Sequence, residues 1–126
     1  MKLLKQSKET DNKVRWDADV DGTPFELYIP KWRVPEPWPQ VIQVSVTQST
    51  DTPATHLSPV NARDNPLSRM QPIVVHLRLV EPCTKTIRYC PVGDKSHWET
   101  GEPYIPIAMT FERAKQLKIT IDWQKW

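Results

Sequence analysis

His76, Cys83, Cys90 and His97 follow one another at intervals of seven residues. Two thiols and two imidazoles are the donor set of a structural zinc site. The spacing argues against one, because such sites draw their ligands in pairs roughly two to four residues apart. The segments "IVVHLRLV" (73–80) and "TIRYCPV", joined by "EPCTK", read as a hairpin. That hairpin places Cys83 in the turn and Cys90 well down the return strand. At ~3.3 Å per residue the two thiols are then more than ~15 Å apart, too far for a shared metal. A disulfide is excluded too, since it needs Cα atoms within ~7 Å. With Leu79 facing Ile87 and Leu77 facing Tyr89, His76 faces Cys90 on the outer side. A Cys–His pair makes a nucleophile when the imidazole lowers the thiol pKa. Neither an orienting group nor an oxyanion hole is in view, so the pair reads as a small side chain beside a solvated histidine.

The carboxylates are equally undirected. Asp17, Asp19 and Asp21 share the polar face of one strand with Lys13 and Arg15. They are a possible oxygen site for a divalent cation, and also what a charged, aggregation-resistant strand face looks like. Glu99 and Glu102 fall in a loop without visible partners. "HWE" (97–99) matches the His-x-Glu start of zinc deaminases, but no Pro-Cys-x-x-Cys follows. "GDKS" lacks the upstream glycine of a phosphate-binding loop. No metal and no cofactor is expected, and an enzyme is the less favoured reading.

Aromatic residues beside cations form the strongest signal. Of the nine Trp and Tyr residues, five directly follow a basic residue or His, as in "RW", "KW", "RY" and "HW". Aromatic platforms beside cations bind single-stranded nucleic acid. On a strand, however, neighbours point to opposite faces, so "Arg15-Trp16" and "Arg88-Tyr89" read as buried aromatics with solvated neighbours. "KWR" (31–33) escapes that objection. So does the outer face of the hairpin, where the assumed register sets Arg78 opposite Arg88, near His76 and Lys85. The expected nucleic-acid contacts are therefore Lys31, Trp32, Arg33, His76, Arg78, Lys85 and Arg88. A second reading is a protein-interaction domain. It uses the stiff strap "IPKWRVPEPWPQ" (29–40), whose prolines favour an extended form, an edge strand such as "YIPIAM", or the terminal "WQKW".

These residues need a scaffold, and the totals bound it. The chain has 126 residues, with 13 Pro, 3 Gly and 6 Trp. That length suits one domain, residues 1–126, with a core large enough to stand without disulfides. Lys and Arg number 17 and Asp and Glu 15, a net charge of +2. Residues 1–63 carry 8 basic and 8 acidic side chains and residues 64–126 carry 9 and 7, so neither half is a polycation or an acidic tail. No run approaches the ~20 apolar residues of a membrane helix, and the N-terminal segment lacks a signal peptide's apolar stretch. With two free thiols, this reads as a soluble, cytoplasmic protein.

Alternation defines the elements. Val14, Trp16, Ala18 and Val20 share one face, the turn "DGTP" follows, and Phe25, Leu27 and Ile29 continue the same face. Ile42, Val44 and Val46, then Ile73, Val75, Leu77 and Leu79, then Ile87 and Tyr89, and finally Ile119, Ile121 and Trp123 repeat the pattern. Pro106 makes "YIPIAM" an edge strand. "TFERAKQL" reads as a helix capped by Thr110. Residues 1–11 are expected to be flexible and 49–72 to be a long loop. The expected fold is mainly β: a small barrel or sandwich of six to seven mostly antiparallel strands, with one short helix before the last. The expected function is a non-enzymatic binding module, with single-stranded nucleic acid or another protein as partner.

Overall fold

The computed structural model describes residues 2–48, 69–93 and 98–123. They form one eight-stranded sheet: β1 (Lys2–Glu9), β2 (Lys13–Val20), β3 (Thr23–Pro30), β4 (Val41–Gln48), β5 (Ile73–Pro82), β6 (Thr86–Pro91), β7 (Tyr104–Pro106) and β8 (Gln116–Asp122). The spatial order is β3-β2-β1-β4-β8-β5-β6-β7, every pair antiparallel. The sheet curls until its two edges lie side by side, giving a nearly closed barrel. Short 3₁₀ turns at Lys31–Arg33 and Ile107–Met109 follow β3 and β7. Among the described residues no helix is long and apolar enough to cross a membrane.

The alternating residues fill the interior as expected. Val14, Trp16, Phe25, Leu27, Ile29, Ile42, Val44, Ile73, Leu77, Ile87, Tyr89, Ile119 and Ile121 are all buried in one core. Lys2–Glu9, where no strand was expected, forms β1. Only Leu4 of this strand is buried, so its hydrophobic signal is weak. Its stability comes from pairing on both edges, to β2 and to β4. That adds the eighth strand.

"TFERAKQL" is not a helix. Phe111, Glu112 and Arg113 have φ of 51°, 60° and 64°, a single left-handed turn. Thr110 does cap it, its Oγ1 accepting from Arg113 N at 3.1 Å, and Ala114 N closes the turn onto Thr110 O at 2.8 Å. Tertiary bonds outweigh helical propensity here, as they do for isolated segments this short. The Tyr89 hydroxyl donates to Ala114 O at 2.6 Å, and Leu79 N donates to Lys115 O at 2.8 Å. Leu117 is then free to enter β8 opposite Leu77. Burial pushes the Tyr89 phenol pKa up, which keeps it a neutral donor.

The β5–β6 hairpin is tighter than expected. Cys83 N donates to Thr86 O at 2.8 Å, and the register is Leu79 opposite Tyr89, Arg78 opposite Cys90 and Glu81 opposite Arg88, with a bulge at Val80. The shift of two residues keeps Ile87 and Tyr89 in the core and Arg88 outside it.

Where β3 meets β7 the sheet stops pairing. Gly101 N donates to Tyr28 O at 3.0 Å, so the backbone groups of Tyr28 point at the seam. By alternation those of Pro24, Glu26 and Pro30 do so too. On the other side Pro103 O accepts from Tyr89 N, which leaves Pro106 facing the seam. Pro24, Pro30 and Pro106 have no N–H to give, so the barrel cannot zip shut.

Left-handed backbone costs about 1–2 kcal/mol at a residue with a Cβ. Glu112 is exposed in this turn, so Glu112→Gly should raise stability by about 0.5–1 kcal/mol, or a few degrees in Tm. Thermal unfolding followed by circular dichroism tests this; a lower Tm would contradict the left-handed turn.

Candidate binding cleft

The end of the barrel that carries the β1–β2 turn is closed by the strap that follows β3. Arg33, expected to meet nucleic acid, is fully buried. Its Nε donates to Glu99 Oε2 at 2.5 Å, its Nη1 to Arg69 O at 2.8 Å and its Nη2 to Gln71 O at 2.7 Å. The 3₁₀ turn at Lys31–Arg33 breaks the strand alternation, and this points a guanidinium inward where a strand would hold it in solvent. Trp16 Nε1 donates to Pro39 O at 2.9 Å and Trp123 Nε1 to Gln71 O at 3.1 Å, while the two rings pack with centroids 6.0 Å apart. Trp38 packs against the core, as a plug rather than a presented side chain. Lys31 Nζ sits 2.8 Å from Glu9 Oε2 and 5.5 Å from the Trp38 ring centroid.

The remaining expected contacts are spread apart. Arg88 does not face Arg78: its Nη2 lies 3.4 Å from Glu81 Oε1 and its Nε 3.8 Å from Glu102 Oε2. Lys85 is exposed in the β5–β6 turn. His76 stands opposite Lys118 of β8 and Arg78 opposite Gln116, on the outer face. The expected His76–Cys90 facing pair is not formed across the ladder, because Cys90 stands opposite Arg78 and Val92 N bonds to His76 O. Cys83 and Cys90 are both free thiols. Among the described residues no three His, Cys, Asp or Glu side chains gather as a metal ion would need, and this includes Asp17, Asp19 and Asp21. Asp19 instead accepts from Gly22 N in the β2–β3 turn, and Asp17 lies 3.5 Å from Arg15. His97, Trp126 and most of 49–72 lie outside the described residues.

Trp32 keeps a partly exposed position, and it has a counterpart that the sequence did not single out as a ligand contact. Trp32 and Trp98 both line an open cleft of about 580 Å³. Asp11, Asn12 and Lys13 of the β1–β2 turn form one wall, and Thr100, Gly101 and Glu102 form another. The indole-bearing residues sit next in sequence to the two halves of the buried ion pair: Trp32 precedes Arg33 and Trp98 precedes Glu99. The pair therefore bolts together the two segments that present the indoles. Trp98 Nε1 donates to Gly93 O at 3.2 Å, fixing its orientation further. Gly101 lies against the end of Lys13, since a Cβ there would sit 3.4 Å from Lys13 Nζ. The only sequence signal for this site was the basic–aromatic dipeptides "KW" and "HW".

Compared with protein-family models, with curated proteins and with solved structures, the chain finds no match in any of the three.

Removing one partner of a buried ion pair leaves an uncompensated charge and costs about 3–5 kcal/mol. Arg33→Met should cost more than Glu99→Gln, because it also strands the carbonyls of Arg69 and Gln71. Urea unfolding of the two single variants and the double variant Arg33→Met/Glu99→Leu should show strong non-additivity, with the double closer to the parent than the sum of the singles. Additive losses would contradict the pairing. The hairpin geometry has its own check. A thiol reagent should label exposed Cys83 in the native protein and buried Cys90 only after unfolding; equal labelling would contradict it.

Proposed function

We propose that this chain is a non-enzymatic binding module that seats its ligand in the cleft between Trp32 and Trp98. The observation that carries the proposal is the buried Arg33–Glu99 pair behind the cleft, which holds both indole-bearing segments in place before any ligand arrives. Pre-organised aromatic contacts lose little entropy on binding. The volume falls within the roughly 300–1,000 Å³ of small-ligand sites. Against catalysis stands the lining itself. It holds no His, Cys or Ser among the described residues, and its carboxylates, Asp11 and Glu102, are both exposed. A carboxyl that serves as a general acid at neutral pH is one whose pKa burial has raised.

A second reading is single-stranded nucleic acid on the outer face of β5 and β8. The observation behind it is the cross-strand placement of His76 opposite Lys118, with Arg78 one step further along β5. The protein-interaction reading through the strap has less behind it, since Val34 and Pro35 are buried and Trp38 is turned to the core.

Indole N–H signals in a ¹⁵N–¹H spectrum separate these readings. Titration with a fragment mixture that includes mono- and oligosaccharides, amino acids, nucleotides and oligo-dT should shift the Trp32 and Trp98 signals, assigned by single Trp→Phe variants. Trp16 and Trp123 should stay still. Shifts confined to His76, Arg78 and Lys118, lost steeply with salt, would install the nucleic-acid reading instead. No shift at either cleft indole with any class would overturn the cleft.

A further inference from the structure

We infer that the ligand of the Trp32–Trp98 cleft is a neutral polyhydroxylated chain, a carbohydrate; this rests on the cleft being the binding site. The charges decide it. Among the described residues the lining carries two cations, Lys13 and Lys31, and two anions, Asp11 and Glu102. Lys31 is already paired with Glu9 at 2.8 Å, and Glu102 lies 3.8 Å from Arg88 Nε. What remains is Lys13 against Asp11, next but one to each other across Asn12. The local field is therefore close to neutral, and a polyanion gains nothing from a site whose cations are matched by carboxylates.

An apolar ligand fits no better. Four charged side chains and Asn12 would lose water to it without compensation. A ligand cation suits an aromatic cage, but it gains no net attraction from a lining whose cations and carboxylates balance. A sugar ring meets every requirement at once. Its C–H face is apolar and lies flat on an indole, while its rim of hydroxyls both donates and accepts. Asp11 and Glu102 accept from hydroxyls, Lys13 and Lys31 donate to them, and Asn12 does both. Carboxylate–hydroxyl bonds are of the strong, charge-assisted kind. The cleft is open to solvent, so a saccharide longer than one ring can extend out of it.

The test is an array of neutral and acidic glycans, with titration of any binder and of oligo-dT in the same buffer. A neutral glycan should bind, with affinity changing less than about twofold between about 50 and about 500 mM NaCl. Trp32→Ala and Trp98→Ala should each weaken it by about tenfold or more, while Trp98→Phe, which keeps an aromatic face, should retain most of the affinity. Circular dichroism of each variant confirms folding. Binding of acidic glycans or oligo-dT alone, with steep salt loss, would overturn the inference, as would an array with no binder. If a ligand of another class shifts the Trp32 and Trp98 indole signals, the cleft stands and only its carbohydrate chemistry falls. A neutral glycan bound equally well by both Ala variants would overturn the cleft together with the inference.

Discussion

The Arg33–Glu99 ion pair is the contact on which the strap-closed end of this barrel depends. Both side chains are buried, and desolvating two charges is expensive unless every remaining hydrogen-bonding group is used. Arg33 meets that condition by donating to the carbonyls of Arg69 and Gln71 as well as to the carboxylate. One guanidinium therefore fixes three stretches of chain: the turn after β3, the lead into β5 and the segment before β7. Each would otherwise be a loop with its own entropy. The indoles of Trp16 and Trp123 finish the closure by bonding the strap and the β5 lead from inside. The cleft is the outer surface of that closure, lined by the ends of β2 and β3 and by connections that the ion pair ties together.

The inner face was legible in the sequence because period-two alternation survives in nearly every strand. Trp16, Leu27, Val44, Leu77, Tyr89 and Ile121 all lie where alternation puts them. The failures have particular causes. β1 has a single buried residue, Leu4, so a strand held by two ladders looks like a polar tail. The segment after Thr110 has a true cap and a helical spacing, yet Tyr89 and Leu79 require its carbonyls elsewhere. The hairpin register slipped by two because neither the bulge at Val80 nor the tight turn at Cys83–Thr86 leaves a periodic trace.

The candidate site was half legible. Trp32 was singled out for its cationic neighbours, and it does line the cleft. Arg33 was read with it and belongs to the opposite category, a buried structural charge. Sequence gives no sign of this, because the partner Glu99 lies 66 positions away in a loop. Trp98 was set aside with "HWE", and the β1–β2 turn was counted as part of a flexible start. The surrounding wall is therefore assembled from three places whose common location only the folded sheet defines.

The order of strands has a consequence for how the chain is made. β8 lies between β4 and β5, and it joins a β3-β2-β1-β4 sheet to a β5-β6-β7 sheet. During synthesis from the N-terminus the two open sheets exist before the staple between them. Until Gln116–Asp122 emerges, β4 and β5 each present an unsatisfied edge with Val44, Val46, Ile73 and Val75 beside it. Such edges are templates for pairing with another nascent chain. The window of greatest danger for this protein is therefore the interval between the emergence of β5 and that of β8. It closes in one step, when a single strand satisfies both edges at once.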